Sequence, residues 1–336
     1  MEVRRVQLTG GSSYILTLPK EWITSLNIKK NTPLGIHMQG DGTLLITPKM
    51  MQEQLQRTIE FDITQIPEEM FLFRRLIGAY IAGFTIIKIN SKARIPEGVH
   101  NVVRMFTQTA IGQEVVEETD TSITLKDFMN PIEMPFEKLV KRMHIIVKGM
   151  FEDTINIFDT RNKSLMDNIV QRDTDIDRLH WLIARQYNII LQHVSLAEKM
   201  NITNKTASSC FLISRIMERI GDHIVGITEN VSRFGKSTID EKIIDLILSA
   251  SKQSLDLFNR CIYAFYRKDI KNANEIIELV IKLHEQFEKI DTLVLTQDSS
   301  IALSLGYITE SIQRISEYSQ DIAETVINYI IGEEQG

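Results

Sequence analysis

The sequence predicts a multidomain α+β protein: a small β-rich unit first, an α/β unit in the middle, and an all-α body of two successive three-helix sets. Three observations carry this. At 336 residues the chain exceeds one ordinary hydrophobic core. Strand-like runs separated by glycine turns are confined to the residues before Pro131. From Phe136 onward, apolar residues recur at alternating steps of three and four, the period of a helix with one buried face.

Residues 1–50 read as the first unit. Val3–Leu8 is expected as a strand, Thr9-Gly10-Gly11-Ser12 as a turn with positive-φ capacity, and Tyr14–Leu18 as a second strand. Pro19 opens a short helix over Lys20–Asn27, and Pro33–Gln39 with Thr43–Thr47 makes a second hairpin across Gly40-Asp41-Gly42. Four short strands and one helical turn are too little to enclose a core at about 45 residues. No cysteine and only one histidine, His37, is present as a staple, so dimerisation is the expected solution. This unit carries six Lys/Arg against three Asp/Glu, whereas the whole chain has a net charge of −6. An anion-seeking head on an acidic body follows.

The residues Ser-Tyr-Ile-Leu-Thr-Leu-Pro-Lys-Glu-Trp, then Leu-Asn-Ile-Lys-Lys-Asn-Thr-Pro-Leu and a Gly-Asp-Gly hairpin, resemble an AbrB/SpoVT-type swapped-hairpin domain. That resemblance implies a head in which hairpins of two chains interleave and a basic surface faces DNA. It makes Arg4, Arg5, Lys20, Lys29 and Lys30 the candidate phosphate contacts, with solvated surface charge as the alternative for each.

Residues 55–130 form the second unit. Thr58–Ile63 alternates as a strand, Pro67–Ala82 reads as a helix with proline at its start, and Phe84–Ile89 is a strand. Pro96–Thr109 is a helix, and Glu114–Glu118 with Ser122–Lys126 closes as a hairpin. No catalytic spacing occurs here, and a packing or sensing module is the expectation.

The helical body divides into residues 135–232 and 238–336. Helices are expected from Leu139 through Ile157, from Met166 to about Val194, and from Lys205 to Val231. The series restarts with Ile243–Tyr266, Ile270–Leu295 and Ile301–Ile331. A shift of 95 residues lays Glu218-Arg-Ile-Gly-Asp onto Gln313-Arg-Ile-Ser-Glu, which suggests an internal duplication.

Two acidic pairs stand at helical i, i+4 spacing: Asp173 with Asp177, and Glu218 with Asp222. Like charges so placed repel within a helix. If the two helices are neighbours, four hard oxygen donors converge, which suits Mg, Mn, Ca or iron better than zinc. Spacing alone equally allows ordinary pairing with Arg172, Arg178, Arg215 and Arg219. Asp-x-x-Ile-Asp-x-Leu on one helix and Glu-Arg-Ile-Gly-Asp-His on the next resemble the PhoU family of phosphate-signalling regulators, tandem three-helix bundles with metal-binding acidic motifs. On matching positions the ligands are Asp173, Asp177, Glu218 and Asp222. The second repeat departs, with Gln313 for Glu and Glu317 for Asp, so one metal cluster, in the first repeat, is expected.

An AbrB-like head joined to PhoU-like repeats resembles archaeal phosphate uptake regulators. It implies a DNA-binding, homodimeric repressor of phosphate-uptake genes that contacts the phosphate transporter's ATPase or its sensor kinase. A protein that signals by protein contact alone is the rival expectation. Asp177-x-x-His180 has the spacing of one di-iron half-site but lacks a second, and no nucleophile–base arrangement stands out, so no enzyme is expected. Gly235-Lys-Ser-Thr238 has no preceding strand and reads as an interhelical turn. Cys210 and Cys261 lie within helical patterns as free thiols. With no signal segment and no apolar run of membrane length, a cytoplasmic protein is expected.

Overall fold

The computed structural model describes residues 2–38, 42–48, 57–65, 68–234 and 239–333. Two compact units are present, Met1–Arg57 and Thr58–Gly336.

In the first unit, β1 (Gln7–Thr9) pairs antiparallel with β2 (Ser13–Ile15), and β3 (Gly35–Met38) pairs antiparallel with β4 (Leu44–Thr47). The β1–β2 turn holds Gly10 at φ +64° and Gly11 at φ +81°, which a side chain would strain. The expected Gly40-Asp41-Gly42 turn lies largely outside the described residues. Helix α1 (Lys20–Ser25) follows Pro19 and has no buried residue. Both strands of the first hairpin are shorter than their apolar runs. Val3, Val6, Leu8, Tyr14, Leu16, Ile36, Met38 and Leu44 are all exposed, and every described buried apolar side chain of the chain belongs to the second unit.

The second unit begins with a four-stranded sheet of β5 (Thr58–Asp62), β6 (Ile86–Asn90), β7 (Gln113–Glu118) and β8 (Ser122–Asp127), in the order β5-β6-β8-β7. The β5–β6 pair is parallel and the others antiparallel, with an irregularity in β7 between Val115 and Glu117. Helices α2 (Glu69–Ile81) and α3 (Glu97–Thr109) supply the apolar layer. Leu72, Leu76, Tyr80, Val102 and Phe106 bury against Phe61, Ile87, Ile89, Ile123 and Leu125. Helix α2 starts at Glu69; the Pro67 expected to open it lies outside the described residues.

The body contains α4 (Phe136–Thr160), α5 (Lys163–Gln192), a short α6 (Val194–Lys199) and α7 (Asn204–Arg233). Then come α8 (Glu241–Arg267), α9 (Ile270–Val294) and α10 (Ser299–Glu333). The α4–α5–α7 set packs mutually, as does α8–α9–α10, and α7 lies along α10 where the sets meet. There His223 and Tyr318, which are 95 positions apart, touch with ring centroids 5.7 Å apart. Equivalent positions in contact are what two-fold-related repeats produce at their axis. Arg161, at φ 49°, donates to the carbonyls of Phe158 (3.1 Å) and Val231 (3.2 Å), closing the ends of α4 and α7 together. The turn at Gly235-Lys-Ser-Thr238 lies outside the described residues.

Residues 55–130 were expected as a domain of their own, yet Thr58 onward forms one compact unit with the helices. The reason lies on α5. Trp181 packs against the sheet's core, and the guanidinium of Arg185 is buried between the Tyr80 carbonyl and the Asp127 carboxylate. Helix α6 was not anticipated. Six residues are too few to display a helical period, and Asn201 at φ 50° closes the turn beyond it.

Candidate metal centre

Asp173 and Asp177 stand on α5 on either side of buried Ile176, and Glu218 and Asp222 stand on α7 beside buried Ile220. Gly221 stands where the two helices face each other. A Cβ there would lie 2.8 Å from Asp173 Oδ1 and 3.0 Å from Ile176 Cδ1, the ends of two α5 side chains that would have to turn aside to admit it. The glycine of Glu-Arg-Ile-Gly-Asp therefore has a packing cause. In the second repeat Ser316 takes its place.

The proximity shows in the electrostatics. Partial burial, then the charge of Asp222, raises the Asp173 pKa to about 6. Burial, then Asp173, Glu218 and Asp222, raises Asp177 to about 7. Glu218 is pushed up by burial and by Asp222. Asp222 keeps more of its surface in water; burial raises it while His223 and Arg219 oppose. Burial is the first cause at every one of the four, and at Asp173, Asp177 and Glu218 the acidic neighbours add to it.

The pairing alternative fails for two of the four arginines. Arg172 is bound to Asp153 on α4, and Arg178 pairs with Asp175 (3.6 Å) and donates to the Thr109 carbonyl (3.2 Å). Arg215 and Arg219 are exposed and ease the charge of Glu218 only through space. Among the described residues no ion pair reaches Asp173, Asp177, Glu218 or Asp222, and buried Asp173 Oδ1 has no hydrogen-bond partner. Nor, among the described residues, are three or more Asp, Glu, His or Cys groups gathered as a finished metal cage. The four expected residues share one electrostatic field without closing on a common centre. An oxygen-only set with an orphaned buried oxygen fits a hard cation, which would draw the side chains inward.

His180 belongs to the packing. It contacts Ser214 Oγ at 3.0 Å and stacks on Phe211, and burial lowers its pKa to about 4, leaving it neutral. The second repeat is differently built. Gln313 Nε2 donates to Glu317 Oε1 at 2.9 Å, Arg314 pairs with Glu317 at 2.8 Å, and Gln313 lies 3.3 Å from His284 Nδ1. This contact shows the register of α9 against α10, which the sequence left open. It makes His284 the residue opposite the acidic edge of α10, where no matching Asp pair could be found.

In the head, Arg4 is committed. It donates to Thr17 Oγ1 at 2.9 Å and to the Leu18 carbonyl at 3.2 Å, and it pairs with Glu2. Arg5, Lys20, Lys29 and Lys30 are exposed, with no ion pair among the described residues. Of the five expected contacts, four are available and one braces β2's exit.

Residues 140–231 and 247–326, together half of the chain, match the PhoU domain family. Residues 7–53 match the family described as antidote-toxin recognition MazE, bacterial antitoxin, in keeping with the AbrB-like reading of the head. The phosphate-specific transport system accessory protein PhoU homolog 1 of Thermotoga maritima is 22% identical over 195 residues, 56% of this chain and 82% of that protein. The corresponding PhoU homolog of Zymomonas mobilis is 22% identical over 194 residues, covering 56% and 80%. Crystal structures of the phosphate transport system regulatory protein PhoU from Streptococcus pneumoniae and of PhoU from Pseudomonas aeruginosa each align with a TM-score of 0.50. They share 15% and 17% identity over 59% of this chain and 94% and 96% of theirs, a likeness of fold.

Proposed function

The chain belongs to the PhoU family, and on that premise we propose that it is a cytoplasmic, non-enzymatic regulator of phosphate uptake and phosphate homeostasis that acts on DNA. The head dimerises and holds the promoter of phosphate-uptake genes, lowering their transcription. The first helical repeat holds a divalent or trivalent cation (iron, Mn, Mg or Ca) through Asp173, Asp177, Glu218 and Asp222. Its occupancy biases the head's affinity for DNA.

One observation supports this reading above the others: a basic head with no buried apolar side chain among its described residues is joined to a body with four carboxylates that lack an ion pair among the described residues and whose ionisation is opposed. Burying Leu8, Tyr14, Ile36, Met38 and Leu44 against a second copy would give the head a core. A dimer then presents two sets of Arg5, Lys20, Lys29 and Lys30. Phosphate contacts from such groups release counterions, so affinity falls steeply with salt. The cation would remove the repulsion at the carboxylates and stabilise one arrangement of α5 against α7, and only such differential binding can bias a second site.

The commitment of Arg4 within the head favours the rival reading to a degree, because it removes one cation from the surface. Under that reading the head is a dimer clasp, and the body signals by contacting the phosphate transporter's ATPase or a sensor kinase. Retention of a phosphate-uptake promoter fragment by the intact protein across a salt series separates the two. The regulator binds tightly at low salt with a slope of about −7 in log–log form, from about eight phosphate contacts on duplex DNA. No retention at low salt sinks it.

A further inference from the structure

On a chain of net charge −6, the first two turns of α4 are positive. Lys138, Lys141 and Arg142 are exposed there and make no hydrogen bond or ion pair among the described residues. Lys141 and Arg142 follow Lys138 by three and four positions, so the three cations crowd one helix face and repel one another. The acid of the same first turn, Glu137, acts instead on Cys210 and Tyr266, whose ionisation its charge opposes. Ile145, on the turn after Lys141 and Arg142, is 61% exposed on the same face.

Helix α8 runs antiparallel alongside. The Tyr266 hydroxyl donates to the Glu137 carbonyl at 3.2 Å, and Tyr263 stands edge-on to His144 with ring centroids 5.7 Å apart. Those contacts set Tyr263, 49% exposed, and exposed Arg267, one turn beyond it, beside the start of α4. Four cations and two large exposed side chains therefore share one face of the α4–α8 pair.

The helical repeat does not require this. Leu139, Met143, Val147 and Met150 of α4 match Ile243, Ile247, Ser251 and Ser254 of α8, all buried. At that register Lys141, Arg142 and Ile145 correspond to Asp245, Leu246 and Ser249. The second repeat thus builds the same buried face without the cations or the exposed isoleucine.

Apolar side chains within a charged surround have the anatomy of a protein interface, and a cationic surround calls for an acidic partner. Nucleic-acid phosphates would answer the cations but leave Ile145 in water. Two apolar side chains are too few for a membrane-seated helix face. A second copy meeting this face through a two-fold axis would bring cation against cation. We propose that the start of α4, with Tyr263 and Arg267 of α8, docks an acidic, amphipathic segment of another protein. Its apolar side chains cover Ile145 and Tyr263, and its carboxylates meet Lys138, Lys141, Arg142 and Arg267. The inference goes beyond the regulator reading and stands whether or not the head holds DNA or the first repeat a cation.

The test uses the full chain and two peptides of about 20 residues. One is built of Glu and Leu with its leucines on one helical face, and the other has Gln in place of Leu. Fluorescence anisotropy at low salt should find the Glu/Leu peptide bound about tenfold or more tightly than the Glu/Gln peptide, with affinity falling as salt rises. Lys141→Glu/Arg142→Glu should weaken binding about tenfold or more, and Ile145→Ser about threefold or more. Arg5→Ala/Lys29→Ala/Lys30→Ala, in the head, should leave it unchanged. No binding at low salt, or equal binding by the parent and the α4 variants, overturns the proposal. Duplex DNA or phosphatidylglycerol vesicles that bind this face more tightly than the Glu/Leu peptide, and lose it in Lys141→Glu/Arg142→Glu, overturn it as well. Failure to retain a promoter fragment would sink the regulator reading while leaving the peptide result intact.

Discussion

Asp177 is the carboxylate whose ionisation the fold opposes most, so Asp177→Asn should stabilise the metal-free protein at neutral to alkaline pH. Its pKa stands at about 7 against an ordinary 3.8, raised by burial and by Asp173, Glu218 and Asp222. The folded state therefore binds a proton that the unfolded chain has already released between those two values. Stability is highest on the acid side of this window and falls as the pH rises through about 7. Each tenfold difference in proton affinity is worth about 1.4 kcal/mol, so the full difference would be about 4 kcal/mol. Asp177 keeps part of its surface in water, and solvent screening reduces this to roughly 1–2 kcal/mol. Urea unfolding of chelator-treated protein at several pH values measures it. Parent stability should fall from about pH 5 to about pH 8, the Asn variant should lose the part of this slope that Asp177 contributes and be more stable at the upper end, and added cation should rescue only the parent. An Asn variant destabilised equally at both ends would mean that the carboxylate is held by favourable partners, and the electrostatic picture would be wrong.

Gly221→Ala places a methyl group 2.8 Å from Asp173 Oδ1 and 3.0 Å from Ile176 Cδ1, so those two side chains must turn aside. Thermal unfolding should show a loss of about 1–3 kcal/mol, and cation affinity should fall with it. In the head, Arg5→Ala, Lys29→Ala and Lys30→Ala together should flatten the salt dependence of DNA retention. Arg4→Ala should instead lower the head's stability through lost contacts to Thr17 and Leu18, visible as faster amide exchange near those residues. Met38→Glu with Leu44→Glu puts facing charges on the β3–β4 hairpin where its exposed apolar pair would meet a second copy, and sedimentation should then find monomer.

Much of the fold was legible because the period of apolar residues reports a buried face directly. The six long helices, the order of strands in the sheet's hairpin and the coreless head follow from such patterns. The 95-residue shift was also readable, and the His223–Tyr318 contact gives it a spatial meaning. What stayed hidden depends on register between elements far apart in sequence. A period shows which face of α9 is buried but not how far the helix slides along α10, so His284 was not placed opposite Gln313. Arg185 was equally silent, since a single arginine on an apolar face carries no hint of Asp127, 58 residues earlier. The candidate site was half legible. Its four acids could be named from i, i+4 spacing, whereas the commitment of Arg172 to Asp153 and of Arg178 to Thr109, which leaves those acids unpaired, comes only from packing.

The cation-binding role of the first repeat is tested most directly by the metal content of the purified protein, compared with Glu218→Ala/Asp222→Ala by elemental analysis after equilibration with Mn or iron. Metal bound by the parent, at about one cluster per chain, and lost from the double variant is the expected outcome. Equal metal content in the two proteins, or none in the parent under saturating metal, would contradict it.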